Sequence, residues 1–546
     1  LRFLENRIQA LRDQQTHQVP QGEDRQRIAT AMYEQDTEAL DQSLARTRER
    51  ISHHFHNIFP SRPQRDSSQP WAETWRQLRG NRQEIDHPGE EENDPLSIFV
   101  RRLGRIALSQ RANQRLDQFM PDLLGLIDQR KLDDEALNRI FDLVLAISRR
   151  SAYLALLTQN PQALERMLEL FQHSEWIAAK VIRFPALLDE LIDPSLGRQV
   201  PDQDDLERSV RRILETAQGT ETVLEGFNYL KLATELRIAV GQIRGSLQTE
   251  AAQQGLTFLA NALLGGVLEV AGREIEVRHG VFPAWRSESG EVDHHHGAMG
   301  IIGYGTLGAA ELGYDSDLDI VFLFESDNSE SDGPRPLTPE RYYARLAQRV
   351  LSFLTITTPS GRLYDVDTRL RPNGRAGSLV SSVSAFHDYQ LNQAWTWELQ
   401  ALTRARFIAG SHAVDAQFTR IRQEVLCRER DEVTIAAEMQ EMRERMAHEH
   451  EVNTHIDVER SPKHCRGGLI DIEFTAQLGV LVSARLYPRV IQACGTVAQL
   501  QQLQAIGWLS AAQHLVLNET LIALREKRTL AALLSQVPGD LPPTQD

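Results

Sequence analysis

The sequence predicts an α+β protein: one mixed-sheet domain flanked by mainly helical domains. Two observations carry that expectation. Short β-rich runs, with glycines clustered around them, appear only after about residue 265, at 299–304, 320–324 and 362–370. Elsewhere the chain is dominated by long Leu/Ala/Gln/Glu/Arg stretches whose apolar residues recur at helical period. At 546 residues the chain is too long for one hydrophobic core, so several domains are expected.

The elements follow in order. Leu1, Leu4, Ile8 and Leu11 form one stripe, so residues 1–16 read as a helix, ended by Val19-Pro20-Gln21-Gly22. A second, polar helix runs to about Ile58, completing a helical segment over 1–60. Residues 61–95 are rich in Pro, Ser, Gly and charge and read as a linker. A helical domain is expected over 96–242, where runs such as Leu164 to Phe171 alternate apolar and charged faces. The sheet-bearing domain is expected over 243–427 and a C-terminal helical bundle over 428–546. Ala10-Leu11-Arg12-Asp13-Gln14-Gln15-Thr16 resembles Ala523-Leu524-Arg525-Glu526-Lys527-Arg528-Thr529, and each is soon followed by Val-Pro. That echo is either helical coincidence or the trace of a duplicated architecture.

Bulk properties narrow the function classes. A net charge of −16 disfavours nucleic acid as a partner. Three cysteines without a CxxC pair fit a reducing cytoplasm and are expected to be buried or inert thiols. No apolar run is read as approaching the roughly 20 residues of a membrane span, and no signal peptide opens the chain. The chain starts at Leu1 inside an apparent helix and is read as a piece of a longer protein.

The chemistry concentrates in one run, Gly303-Tyr304-Gly305-Thr306-Leu307-Gly308-Ala309-Ala310-Glu311-Leu312-Gly313-Tyr314-Asp315-Ser316-Asp317-Leu318-Asp319-Ile320. It reads as strand, tight turn, short helix, loop, strand. Gly305 permits close backbone approach, the helix start offers N–H groups to phosphate oxygens, and Thr306 adds a hydroxyl. Ser316 joins this nucleotide-binding set. Asp317 and Asp319 are two apart at a strand start, so both carboxylates share a face. They repel each other unless a divalent cation lies between them, and magnesium suits hard oxygen ligands and substrate phosphates. Asp367, in Tyr364-Asp365-Val366-Asp367-Thr368-Arg369-Leu370-Arg371-Pro372, is the expected third carboxylate and third metal ligand, nearest the acceptor hydroxyl and able to take its proton. Asp365 is the second choice. Arg369 and Arg371 are placed to neutralise phosphate charge.

Other residues have competing readings. Asp293-His294-His295-His296 is read as an exposed polar loop rather than a metal site. Trp395 and Trp397 are expected in a core, the rival being a nucleotide-pocket contact. Arg404 and Arg406 point either to phosphate or to surface carboxylates. Asp471 and Glu473 serve either a helix start or a contact back to the cleft.

The Gly-x-Gly-x-Leu-Gly-x-x-Glu-Leu-Gly-Tyr-x-Ser-Asp-Leu-Asp run closely resembles the adenylyltransferase half of the bifunctional glutamine synthetase adenylyltransferase/adenylyl-removing enzymes. So do Val366 to Gly374, Trp395 to Leu402, Gly467 to Phe474 and, upstream, Pro185 to Pro194. Leu4 to His17 resembles the end of the adenylyl-removing half. The resemblance implies a polymerase-β-like nucleotidyltransferase domain. Its reaction would move AMP from ATP to a glutamine synthetase tyrosine, regulating nitrogen assimilation, with Mg2+ as cofactor. It implies the PII signalling protein and glutamine as effectors, with no nucleic-acid or membrane partner. Thr306 stands where the family usually has Lys, and Ala309 where Gly is more usual. Only one such constellation is present in the sequence, so adenylyl removal is expected to be absent. Rival readings are uridylylation of a signalling protein, or a regulatory module with a vestigial site.

Overall fold

The computed structural model describes Pro20 and residues 22–32, 36–45, 70–80, 94–193, 195–282, 298–325, 329–454 and 461–534. The chain separates into two compact units, Leu1–Gln77 and Leu78–Asp546. In the first, helix Glu23–Ala31 buries Ile28 and Ala29 with Leu40. The stretch expected as a linker contains a helix, Pro70–Gly80, opened by a proline that suits a first helical turn. Asp94 then caps helix Pro95–Gly104, its carboxylate accepting from the N–H groups of Leu96 and Ser97.

The sheet lies in the second unit. Strands β1 (Met299–Gly303), β2 (Leu318–Phe324), β3 (Val366–Asp367), β4 (Val380–Ser382) and β5 (Arg406–Gly410) form it, in the order β3-β2-β1-β5. β1 pairs antiparallel with β2 and β5; β2 pairs parallel with β3 at one end and β4 at the other. The sheet is therefore mixed, as expected. Helical layers cover both faces, which explains why β2 reads as an almost unbroken apolar run. Leu318, Ile320, Phe322 and Phe324 face a core shared with helices Thr249–His279 and Pro339–Thr355. Val321 and Leu323 face a second core with helices Val383–Asn392, His412–Leu426 and Leu469–Ser483.

Three expectations change. The strand expected over 362–370 shrinks to Val366–Asp367, because an Arg362–Asp365 ion pair precedes it and the backbone turns at Thr368–Arg371 after it. The first core crosses residue 242: Leu206, Val210 and Phe227 pack in the same cluster as β1 and β2. Helix Thr249–His279 is long and apolar enough to cross a membrane, contrary to the sequence reading. Its most apolar window is 83% buried inside the protein, where it forms the central helix of that core.

Candidate nucleotidyl-transfer site

Local sequence builds the site around a tight turn. β1 ends at Gly303, and Gly305 takes φ +53°, a left-handed conformation that favours glycine. A short helix of four residues, Gly305–Gly308, follows, as expected. The turn is tied to β2 by the Tyr304 N–H, which donates to the Asp319 carbonyl at 2.8 Å. Ala309 has right-handed helical geometry at the helix end, so it replaces glycine without strain. The left-handed residue is its neighbour Ala310, at φ +59°. Ser316 accepts from the Gly313 N–H at 3.0 Å, so its hydroxyl closes the loop leading to the acidic pair.

Asp317 and Asp319 flank Leu318 at the mouth of β2, Asp317 exposed and Asp319 half-buried. Asp319 pairs directly with Asp367 across the β2–β3 ladder. Burial pushes the Asp319 carboxyl up to about 6, and the nearby charges of Asp317 and Asp367 add to the effect. Asp367 behaves oppositely. Burial raises it, but Arg369 outweighs this and holds it below the usual carboxylate range. The Arg369 N–H donates to one Asp367 oxygen at 2.8 Å, and its Nε to the other at 2.6 Å. Arg371 is committed to its own loop, donating to the Thr368 carbonyl at 2.7 Å and hydroxyl at 2.9 Å. Asp365 is exposed and paired with Arg362 at 2.7 Å.

Among the described residues, no three His, Cys, Asp or Glu side chains are close enough to chelate an ion by themselves. The chemistry of the donors still fits magnesium. This ion is usually held by one or two carboxylates plus substrate phosphates rather than by an all-protein cage. Burial, with Asp317 and Asp367 close by, raises the Asp319 carboxyl more than Arg369 and Arg404 lower it, so the corner favours added positive charge.

Behind the turn lies a buried ionic cluster that the sequence reading split into separate residues. Glu311 accepts from Arg404 at 2.7 Å, from the Thr496 hydroxyl at 3.2 Å and from the Thr496 N–H at 2.6 Å, and it also pairs with Arg525. Arg404 reaches on to Glu473 at 2.8 Å. Burial pushes the Glu311 carboxyl up, yet Arg404 and Arg525 outweigh it and keep it below its ordinary value. Arg404 thus meets the buried carboxylate of Glu311 and the half-buried one of Glu473. Arg406 donates to the Gly308 and Leu307 carbonyls at 3.3 Å, bracing the short helix. Glu473 pairs with Arg404 in this cluster, whereas Asp471 accepts from the Gly467 N–H at 2.7 Å in the first turn of its helix. Glu311 was legible only as a motif letter; its partners lie roughly 90 to 210 residues away in sequence.

Trp395 and Trp397 are not core residues: they are 70% and 36% exposed. Glu398, which follows them, is buried and accepts from the Trp395 N–H at 2.9 Å and from the Tyr389 hydroxyl. The three cysteines are free and half-buried rather than buried. Asp293 to His296 and Ala10 to Thr16 lie outside the described residues.

Residues 164–421, which contain the turn and all three aspartates, match the family model described as glutamate-ammonia ligase adenylyltransferase. This part of the chain is similar to that family. Residues 1–59 and 434–536 match a second model, PII-uridylyltransferase. One model thus matches both ends of the chain. Neither uridylyltransferase match includes Asp317, Asp319 or Asp367.

The chain is 39% identical over 521 residues to a bifunctional glutamine synthetase adenylyltransferase/adenylyl-removing enzyme of Xanthomonas campestris pv. campestris, covering 94% of this chain and 54% of the relative. Similar relatives occur in Nitrosococcus oceani, at 37% over 551 residues (96% and 55%), and Pseudomonas syringae pv. tomato, at 37% over 572 residues (98% and 57%). Both carry the same name. The chain spans about half the length of the curated relatives it matches.

Proposed function

We propose that this chain transfers AMP from ATP to a tyrosine hydroxyl of glutamine synthetase, releasing pyrophosphate and so regulating nitrogen assimilation. The observation that carries the reading is the convergence of Asp317, Asp319 and Asp367 on one corner of a mixed sheet, beside the Gly305 turn, within the segment matched to the adenylyltransferase family. We read that sheet as a polymerase-β-like nucleotidyltransferase domain.

Asp317 and Asp319 would hold magnesium, which when bound supplies positive charge to the triphosphate and favours in-line displacement. Gly305 lets backbone approach the phosphates, and the Thr306 hydroxyl takes the place of a longer donor. The tyrosine oxygen forms a bond to the α-phosphorus as the bond to the β-phosphate oxygen breaks, and pyrophosphate departs. Asp367 accepts a hydrogen bond from the attacking hydroxyl. Because Arg369 lowers its basicity, Asp367 orients that hydroxyl, and the proton passes on to solvent. Arg369 screens Asp367, and Arg371 shapes the loop beneath it. Adenylyl removal is assigned to a second constellation of the kind read here at Gly303–Asp319, and so to residues other than these. The same reading carries PII and glutamine as effectors and the cytoplasm as the compartment.

Titrating ATP and UTP in magnesium tests the nucleotide assignment. ATP should bind more tightly, and Thr306→Ala should weaken it by about 1 kcal/mol, the scale of one hydrogen bond. A preference for UTP would contradict the reading.

A further inference from the structure

A cavity of about 670 Å³ opens beside Asp317 and the segment that leads into β3. One wall is catalytic: Asp315 and Asp317 come from the loop before β2, and Arg362 and Asp365 from the segment before β3. The opposite wall is helical and basic, with Lys180 and Arg183 from helix Glu175–Arg183 and Lys231 from helix Thr220–Ile243.

The charges of the helical wall are not cancelled. Lys180 and Lys231 share the single buried carboxylate of Glu235, at 3.5 and 2.5 Å. Arg183 lies over the ring of Phe184, 5.2 Å from its centroid, and makes no ion pair among the described residues. On the helical wall three cations therefore stand against one carboxylate, with Asp315 and Asp317 on the facing wall. Arg362 on the facing wall is already paired with Asp365.

In-line displacement decides what this cavity receives. The leaving pyrophosphate and the attacking hydroxyl lie on opposite sides of the α-phosphorus. The turn at Gly305 follows β1, and β1 and β3 flank β2 on opposite edges. With the triphosphate tail at the turn, the acceptor enters from the β3 side, where the cavity opens.

We propose that the helical wall formed by Lys180, Arg183 and Lys231 is an acceptor-docking site that selects an acidic peptide segment flanking the hydroxyl to be modified. The inference rests on the transferase reading above. Arg183 is its specificity-determining residue: exposed, unpaired and anchored on an aromatic ring, its guanidinium is free to form a bidentate pair with an acceptor carboxylate.

Binding without nucleotide tests this separately from transfer. Two dye-labelled peptides carry one tyrosine, flanked in one by Glu and Asp and in the other by Lys, and anisotropy is followed on the full chain. The acidic peptide should bind at least tenfold more tightly than the basic one. Arg183→Glu should abolish that preference, and Arg183→Lys should retain most of it. Arg183 is exposed and touches Phe184, so the variants should keep the wild-type melting temperature. Equal or no binding of the two peptides by the wild type would overturn the docking site, as would an unchanged preference in folded Arg183→Glu. Failure of AMP transfer to glutamine synthetase, measured independently, would instead sink the transferase reading.

Discussion

Gly305 and Asp319 occupy each other's space: a Cβ on Gly305 would lie 2.2 Å from Asp319 Oδ2. The glycine is required both by this contact and by its φ of +53°. Gly305→Ala should therefore displace the Asp319 carboxylate, cut transfer by roughly 100-fold, and leave the secondary structure intact. Steady-state rates beside circular dichroism check this. Near-normal transfer by the alanine variant would show that the turn does not set the position of the carboxylate.

Asp319 makes stability depend on pH with a definite sign. Its carboxyl is raised from 3.8 to about 6 in the folded chain, so ionisation opposes folding. That cost is absent below about pH 4, grows as pH rises through 6, and is complete above it. Asp319→Asn should stabilise the nucleotide-free protein at pH 8, by on the order of 2 kcal/mol after allowing for partial exposure, and leave it unchanged at pH 3.5. Chemical denaturation at the two pH values measures the difference. Magnesium with ATP should stabilise the wild type and not the variant.

The ionic cluster behind the turn should behave as one unit. Arg525 is 4% exposed and Glu311 7% exposed, so removing one charge leaves its partners buried and undercompensated. Arg525→Met should cost about 3 kcal/mol of stability. In combination with Glu311→Gln the loss should be less than additive, as expected for groups in one network. Equilibrium unfolding of the single and double variants provides the cycle; strict additivity would dissolve the network.

What could be read in the sequence was what is local. β1 and β2 were marked by apolar runs bounded by glycine and aspartate, and the Gly305 turn and its acidic pair fell within 15 residues of each other. β4 and β5 were not anticipated, because Val380–Ser382 and Arg406–Gly410 are short and gain their place by pairing with β2 and β1. The Glu311–Arg404–Glu473–Arg525 cluster joins four distant segments, and charged residues at helical spacing look alike whether buried or solvated. Trp395 and Trp397 misled in the other direction: aromatic residues on a helical stretch suggested a core, whereas Glu398, next along the helix, is the buried residue. The linker reading of 61–95 weighed its prolines as breakers, yet Pro70 starts a helix.

The central claim is that Asp317, Asp319 and Asp367 serve adenylyl transfer to glutamine synthetase. It is tested most directly by incubating the chain with magnesium, ATP labelled at the α-phosphate and glutamine synthetase, then locating the label by peptide mapping. Label should appear on a tyrosine of glutamine synthetase as an AMP ester, with one pyrophosphate released per ester. It should be reduced by orders of magnitude with folded Asp319→Asn. An unlabelled glutamine synthetase, or undiminished labelling by the Asp319→Asn variant, would contradict it.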